Sequence, residues 1–209
     1  MAPKQKDWVE YMQRILGYSI TGETSQQAFF IWLGRQGSNG KGQLARMLQS
    51  VIGNHNFVTL NKDLFLTNNP DGKTFNNAEA ASPATFTLKR GRFGTITECG
   101  NDDSLRAAIL KRATGEDELS ARPLYGQPEE FRTQQKIHIQ TNYFPGGCGD
   151  DIAIQRRLIA IPFLSIFAEG DDDDRNRRDF IAVHKLDSTI ETKFKLHLRN
   201  YFFSWLCRK

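Results

Sequence analysis

The chain has 209 residues, of which 39% are hydrophobic and 25% are charged, a balance typical of a globular protein and not of a disordered or fibrous one. No apolar run approaches the roughly 20 residues that cross a bilayer, and the polar start MAPKQKDW lacks the apolar core of a secretory signal, so we expect an intracellular protein without a membrane anchor. The three cysteines are far apart and odd in number, which argues against a disulfide framework and against a Cys-x-x-Cys zinc site.

The charge of the chain is unevenly distributed. Its 28 basic and 24 acidic residues give a net charge of +4. Residues 169–179 (EGDDDDRNRRD) contain six acids and three bases, which leaves the rest of the chain at +7. Such a basic excess suits a nucleic-acid partner, although many proteins without one share it. We interpret the acidic run as a solvated loop and not as a metal site.

Helical and strand-like patterns alternate along the chain. Residues 7–16 have apolar positions at helical spacing, and Gly17 can close that helix. A second helix is predicted over 42–52, and Asp102 or Asp103 can cap a third. The continuous apolar run at 28–33 predicts a strand that is buried on both faces. Further strands are predicted at 57–60, 92–97, 136–141 and 158–163. This order predicts an α/β domain with a central, mostly parallel five-stranded sheet flanked by helices.

Two further segments complete the prediction of secondary structure. Residues 67–87 are rich in Asn, Pro, Gly and Ala, and we expect a mobile surface loop there. Residues 187–206 read as one amphipathic helix that packs against the core or partly against a neighbour. Its apolar positions are Phe194, Leu198, Tyr201, Phe202 and Trp205.

The stretch WLGRQGSNGKGQLARML, residues 32–48, joins the first strand to the second helix. Backbone amides of a glycine-rich turn and the positive end of a helix bind phosphate oxygens in this arrangement, and Lys41 adds a positive charge. The match is incomplete, because the expected first glycine falls on Arg35, one residue after Gly34, and Gly42 replaces the Ser or Thr whose hydroxyl touches magnesium. A glycine turn without a ligand is the alternative. The predicted phosphate-binding residues are Gly37, Ser38, Asn39, Gly40, Lys41 and Gly42.

Further stretches follow this loop in a recognisable order. "LGYSITGETSQQAFFIWLG" and "GSNGKG" are followed by "RFGTITE", "LKRATGEDELSARPLYGQPEEF", "KIHIQTN" and "IQRRLIAIPF". From Trp8 onward, the chain resembles the superfamily 3 helicase domain of the poxvirus and phage type of primase-helicase. The resemblance implies an AAA+-like P-loop NTPase fold that binds ATP and Mg²⁺. It divides the chain into a helical lead-in at 1–27, an ATPase and helicase core at 28–168, and an acidic loop with a helix at 169–209.

The resemblance also assigns roles to polar residues near strand ends. Glu98 is the predicted catalytic acid, where a carboxylate can orient the attacking water and help hold Mg²⁺, partly through water. Related helicases often have two acids here, whereas this chain has Thr97 before Glu98; an ordinary surface role for Glu98 is the alternative. Asn142 resembles the family's γ-phosphate sensor, although Asn is also common in turns. Arg157 is the implied arginine finger for a neighbouring subunit, and Arg156 is the second candidate.

Residues 111–122 (KRATGEDELSAR) lie where this family places a hairpin that grips DNA in the ring channel. Gly115 with its acidic neighbours predicts the turn. The residues predicted to contact DNA phosphates are Lys111, Arg112 and Arg122. Basic residues that only flank a turn are the alternative. We interpret Tyr125 and Phe131 as core residues, and the four histidines have no spacing suited to a metal.

The resemblance therefore implies a replicative DNA helicase domain that hydrolyses ATP at subunit interfaces and translocates on DNA through a ring. By resemblance the ring is a hexamer around single-stranded DNA, with a primase domain or partner elsewhere. It would act in the host cytoplasm or wherever a virus, phage or mobile element replicates. Two alternatives remain open. One is a nucleotide-binding scaffold without hydrolysis, which Gly42 and the single acid would suit; the other is an ATP-driven loader or packaging motor on duplex DNA.

Overall fold

The computed structural model describes residues 5–35, 37–68, 82–149, 151–168 and 182–208. The strands are β1 (Phe29–Leu33), β2 (Phe57–Thr59), β3 (Leu66–Thr67), β4 (Phe93–Cys99), β5 (Ser104–Leu105), β6 (Leu119–Ala121), β7 (Glu129–Phe131), β8 (Lys136–Thr141), β9 (Leu158–Pro162), β10 (Ser165–Ala168) and β11 (Ala182–Lys185). The helices are α1 (Gln5–Ser19), α2 (Lys41–Asn56), α3 (Lys62–Phe65), α4 (Pro83–Phe86), α5 (Ala107–Thr114), α6 (Ile152–Arg157), α7 (Ile190–Lys193) and α8 (Arg199–Leu206). A 3₁₀ turn follows α4 at Thr87–Lys89, and a π-helical turn at Phe194–Leu198 joins α7 to α8.

The centre of the molecule is a five-stranded sheet in the order β2-β4-β8-β1-β9, with every neighbouring pair parallel. The five predicted strands are the five strands of this sheet, so the α/β prediction is confirmed. β1 lies between β8 and β9, which places its carboxyl end beside that of β8. In an open parallel sheet, ligands bind at this edge.

Each face of the sheet has its own hydrophobic core. Along β1, Phe29 and Ile31 pack into one core, and Phe30 and Trp32 into the other. Side chains alternate between faces along a strand, so a strand covered on both sides is apolar at every position. This burial explains the continuous run FFIWL.

Three smaller pairs of strands lie outside the central sheet. β6 and β7 form an antiparallel pair, as do β3 and β5, whereas β10 and β11 are parallel. Within the residues that the structure describes, no helix is both long and apolar enough to cross a membrane. The acidic run at 169–179 and residues 69–81 lie outside the described residues.

The prediction that Gly17 ends the first helix was wrong, because α1 continues through it to Ser19. A Cβ atom at Gly17 would lie 2.7 Å from the backbone oxygen of Leu206, at the end of α8. The glycine therefore lets the two terminal helices approach closely, a packing role that local sequence signals do not reveal.

Other boundaries also differ from the predictions. Neither Asp102 nor Asp103 caps α5, which begins after Arg106; Asp103 instead accepts a hydrogen bond from the amide of Gly100 at 2.6 Å. The predicted loop at 67–87 contains α4, which is capped by the Ser82 hydroxyl. The C-terminal helix begins at Ile190 and is interrupted by the π turn. Of its predicted apolar face, Phe194 is buried, whereas Leu198 and Tyr201 are exposed.

Candidate nucleotide site

The predicted phosphate loop connects the end of β1 to the first turn of α2. It curls through left-handed backbone conformations at Ser38 (φ 55°) and Gly40 (φ 83°). Gly34 permits the tightest approach, since a Cβ atom there would lie 1.9 Å from Asn39 Nδ2 and 2.8 Å from Lys41 Nζ. Gly34, which precedes the expected glycine position by one residue, is therefore required here because a larger side chain would clash.

Lys41 joins the loop to the end of β8. Its Nζ donates hydrogen bonds to the backbone oxygen of Gly34 at 3.1 Å and to Asn142 Oδ1 at 2.9 Å. The side chain is only 8% exposed, and burial lowers the pKa of its ammonium to about 8. The structure therefore brings together two predicted site residues from separate motifs, because β1 and β8 are neighbours in the sheet.

Glu98 lies in β4, one residue before the strand ends. Cys99 is in register with Thr141 of β8, and the β4–β8 register shifts between Ile96 and Cys99. The backbone at Glu98 is thus at the same edge of the sheet as Asn142. The side chain of Glu98 lies outside the described part of the chain, so its catalytic role stays a prediction.

A cavity of about 870 Å³ opens above the loop. One wall consists of the loop and the first turns of α2, with Gln140 and Asn142 at the sheet edge. The opposite wall consists of Phe167 in β10 and the segment from Lys185 to Glu191. Sequence reasoning missed this second wall because Phe167 precedes the acidic run, its other residues follow that run, and none of them belongs to a motif. The only available hint was the apolar pattern of residues 163–167, which extends the fifth predicted strand.

The polar groups around this cavity fit a phosphate chain better than a directly bound metal ion. The described residues contain no group of three or more His, Cys, Asp or Glu side chains that could hold a metal. Gly42 has no hydroxyl to offer. The predicted Mg²⁺ ion would here be held mainly by phosphate oxygens, with Glu98 as its predicted protein ligand.

The two arginines of the predicted finger motif occupy the last turn of α6. Arg157 is partly buried: its Nη1 donates to the backbone oxygen of Ala153 and its Nη2 to Gln27 Oε1, each at 3.0 Å. Arg156 is exposed and makes no hydrogen bond or ion pair with any residue that the structure describes. Of the two arginines, Arg156 is therefore the one whose side chain can contact a neighbouring molecule.

The predicted DNA hairpin is displaced along the chain. Lys111 and Arg112 lie in the last turn of α5, and the antiparallel pair is formed by β6 and β7. Lys111 donates to Asp151 Oδ2 at 2.9 Å, and Asp151 Oδ1 accepts from the first amides of α6. These hydrogen bonds, the one from Lys111 foremost, lower the pKa of the Asp151 carboxyl. Of the three basic residues predicted to contact DNA, only Arg122 lies at the connection between β6 and β7.

The aromatic residues of this hairpin divide between core and surface. Phe131 is 9% exposed, which confirms the prediction for that residue. Tyr125 is 98% exposed with φ 63°, so the prediction of a core role was wrong. It lies beside Leu124, which is 69% exposed, in a connection with Pro123 on one side and Pro128 on the other.

Comparison with known proteins gives two relatives in large DNA viruses. The chain is 30% identical over 162 residues to "Putative helicase L207/L206" of Acanthamoeba polyphaga mimivirus. It is 27% identical over 153 residues to "Putative helicase 022R" of Frog virus 3 (isolate Goorha). These alignments cover 78% and 71% of this chain but only 16% and 15% of the two viral proteins. No protein-family model matches the chain.

Solved structures of the NrS-1 C-terminal region have the same fold. The A form of the apo structure superposes with a TM-score of 0.59 at 16% identity, over 99% of this chain and 42% of that one. A second apo structure of the region gives 0.59 at 15% identity, over 96% and 42%. Together with the parallel sheet and the loop, these neighbours are consistent with a P-loop NTPase-like fold. The chain therefore has this fold and a sequence similar to that of viral proteins named as helicases.

Proposed function

We propose that this chain is the ATPase and helicase domain of a replicative DNA helicase, of the superfamily 3 type that its motifs resemble. ATP would bind in the cavity above the phosphate loop, with Lys41 and the amides from Gly37 to Gly42 on its phosphates. The observation that carries the proposal is the hydrogen bond of 2.9 Å between Lys41 Nζ and Asn142 Oδ1. It links a loop suited to phosphate with the polar residue that ends the neighbouring strand.

Hydrolysis would use residues at the same edge of the sheet. Glu98 would orient the attacking water as a general base, and Asn142 would hydrogen-bond the water or the γ-phosphate. A Mg²⁺ ion, when bound, would neutralise charge on the phosphate oxygens. The Lys41 ammonium already lies at the loop, hydrogen-bonded to Gly34 and Asn142. When ATP binds, it would need to move only a short distance to donate to a phosphate oxygen in place of these two partners.

Assembly into a ring would bring an arginine of a neighbouring subunit to the site. We propose that Arg156, and not Arg157 as the resemblance suggested, reaches the site of a neighbouring subunit. The support is that both terminal nitrogens of Arg157 are bonded within its own chain. By resemblance the ring is a hexamer, and the β6–β7 hairpin would contact single-stranded DNA in its channel. The chain spans about a sixth of its viral relatives, so a primase domain could belong to the remainder.

The experiment that tests this proposal is a comparison of two buried lysines. Lys41→Met should lower DNA-stimulated ATP turnover by about 10²–10³, the loss typical of removing one preorganised donor to developing charge. Lys136→Met is the matched control. Lys136 is 2% exposed at the opposite end of β8, with its pKa also lowered to about 8 by burial, yet it does not line the cavity.

The control should therefore lower the free energy of unfolding without lowering turnover per folded molecule. Equal turnover in folded Lys41→Met and wild-type protein would rule out the phosphate assignment.

The mass of the assembly, measured with ATP and DNA present, tests the ring: a monomer that hydrolyses ATP at the wild-type rate would contradict it.

One observation favours a second candidate, a nucleotide-binding scaffold without hydrolysis: Gly42 stands where a Ser or Thr hydroxyl would touch Mg²⁺. Wild-type protein that binds ATP tightly but does not turn it over, even with DNA, would select the scaffold.

A further inference from the structure

The cavity above the phosphate loop is larger than a triphosphate needs. Its volume of about 870 Å³ lies within the roughly 300–1,000 Å³ of sites that enclose a whole small molecule. Beyond Lys41, the cavity continues between Met47 on α2 and the outer wall. Two apolar side chains of that wall, Leu186 and Ile190, are each 39% exposed although they line the cavity. This half of the cavity therefore offers apolar contact area to a ligand.

The outer wall is fastened to the phosphate loop and to α2. The amide of Phe167 donates to the oxygen of Ser38 at 2.8 Å, and the amide of Leu186 donates to that of Ala168 at 2.8 Å. At the far end, Glu191 lies 3.6 Å from the guanidinium Nε of Arg46. Because both ends of the wall are attached, the two walls have a fixed spacing in the described structure.

Charge gives the cavity a direction. Lys41 and the start of α2 make the loop end positive, whereas Asp187 and Glu191 bring carboxylates to the other end. Hydrogen bonds from Lys193 and Thr189 lower the pKa of Asp187 to about 2, so it is anionic at neutral pH. Both carboxylates are already ion-paired, Asp187 with Lys193 and Glu191 with Lys195 and Arg46, whereas Lys41 is bonded, among the described residues, only to neutral oxygens. The Lys41 ammonium and the amides of the loop therefore attract the polyanionic half of a ligand, and its neutral half then lies against the outer wall.

Gln43, in the first turn of α2, adds a polar group to the cavity lining. Its Oε1 accepts from Arg46 Nη2 at 2.6 Å, which fixes the amide with Nε2 on the other side. Nε2 is buried and has no hydrogen-bond partner among the residues that the structure describes. Buried donors without a partner are rare in native proteins, so this amide suits an acceptor on a ligand.

We propose that Met47, Phe167, Leu186 and Ile190, with the Gln43 amide, form the binding site for the nucleoside half of the nucleotide. The inference rests on the proposed function, since it requires that phosphates occupy the loop. The base and sugar are held mainly by apolar contact against the outer wall, and the segment from Lys185 to Glu191 is part of the site.

The test compares ATP with inorganic tripolyphosphate, which has the phosphates but no nucleoside. Wild-type protein should bind ATP about tenfold more tightly or better, as measured by calorimetry. In the double variant Leu186→Ser/Ile190→Ser, the affinity for ATP should fall about tenfold while that for tripolyphosphate stays within about twofold. The matched control is Leu196→Ser/Leu198→Ser, two exposed leucines of the π turn that do not line the cavity. The control should change neither affinity.

Three outcomes would overturn the inference. Wild-type protein that binds both probes equally has no nucleoside site, although its phosphate loop works. An unchanged affinity for ATP in the folded double variant would show that the outer wall does not contact the nucleoside. An equal loss of affinity for ATP and for tripolyphosphate in that variant would show that the wall only supports the phosphate loop. Wild-type protein that binds neither probe contradicts the proposed function itself, which is a different result from these three.

Discussion

The phosphate loop and the β6–β7 hairpin differ in how far their candidate ligand-binding side chains are exposed to solvent. In the loop, Lys41 is 8% exposed and hydrogen-bonded to Gly34 and Asn142 of its own chain. At the hairpin, Tyr125 is 98% exposed and Leu124 69%. A site organised inside one chain can bind a small ligand without help, whereas large exposed side chains gain contacts only from another molecule. We therefore expect phosphate binding to be measurable in the monomer, and the other proposed functions only with DNA or other subunits present.

The largest effect expected concerns the α6 arginines, which test whether the loop site is complete within one chain. Arg156→Ala should lower ATP turnover in a homogeneous ring by about 10³–10⁵, the range of known arginine fingers. Mixed with Lys41→Ala subunits, which are inactive but still offer Arg156, it should regain part of the activity. Turnover in the mixture is the measurement.

Arg157→Ala is the comparison for that experiment. Its loss leaves Gln27 without a hydrogen bond of 3.0 Å, so we expect lower stability with little loss of turnover per folded molecule. If mixing with Lys41→Ala subunits restored ATP turnover to Arg157→Ala protein but not to Arg156→Ala protein, Arg157 would be the arginine finger, as the resemblance implied.

A smaller effect is expected at the hairpin tip. Stacking of a base on an aromatic ring contributes about 1–3 kcal/mol, so Tyr125→Ala should weaken binding of single-stranded oligo(dT) by about 5- to 150-fold. Tyr125→Phe keeps the ring and should bind almost as wild type. Tyr201→Ala, at a tyrosine that is 75% exposed on α8, is the surface control. Equal affinities for oligo(dT) in all three variants would remove the hairpin from the DNA site.

The smallest effect expected is the pH dependence of the loop. With the pKa of Lys41 at about 8 in the free protein, its ammonium is lost as pH rises through 8, whereas bound phosphate would raise that pKa again. The affinity for ATP should therefore fall about tenfold between roughly pH 7.5 and 9.5. Calorimetry at a series of pH values gives the profile, and Lys41→Met should abolish the dependence.

Unfolding does not account for such a loss. The lowered pKa means that the unfolded chain binds more protons at Lys41 than the folded chain between pH 8 and the ordinary value of 10.5. For this group the free energy of unfolding therefore rises with pH across that window. A pH profile that is the same in wild type and Lys41→Met would instead assign the titration to another group.

Patterns that depend on neighbouring residues predicted the sheet well. The run FFIWL identified a strand buried on both faces. The resemblance assigned Lys41 and Asn142 to one nucleotide site, and the structure has the two side chains hydrogen-bonded to each other. Features fixed by distant contacts were missed. Gly17 is required by the end of α8, some 190 residues away, and Lys111 is held by Asp151 on another helix. Nor does any local pattern place the segment from Lys185 to Glu191 opposite the loop.

The contact between Phe167 and the phosphate loop has a consequence for conformational entropy. The ring of Phe167 lies 3.1 Å from where a Cβ atom of Gly40 would be, and its amide holds the oxygen of Ser38. A glycine-rich loop free in solution would lose the freedom of several backbone dihedrals on binding phosphate, at roughly 1–2 kcal/mol per residue. Here that freedom is already lost when the protein folds. The loop at Ser38 and Gly40 is therefore ordered before any phosphate binds, and more of the interaction energy with phosphate remains as affinity.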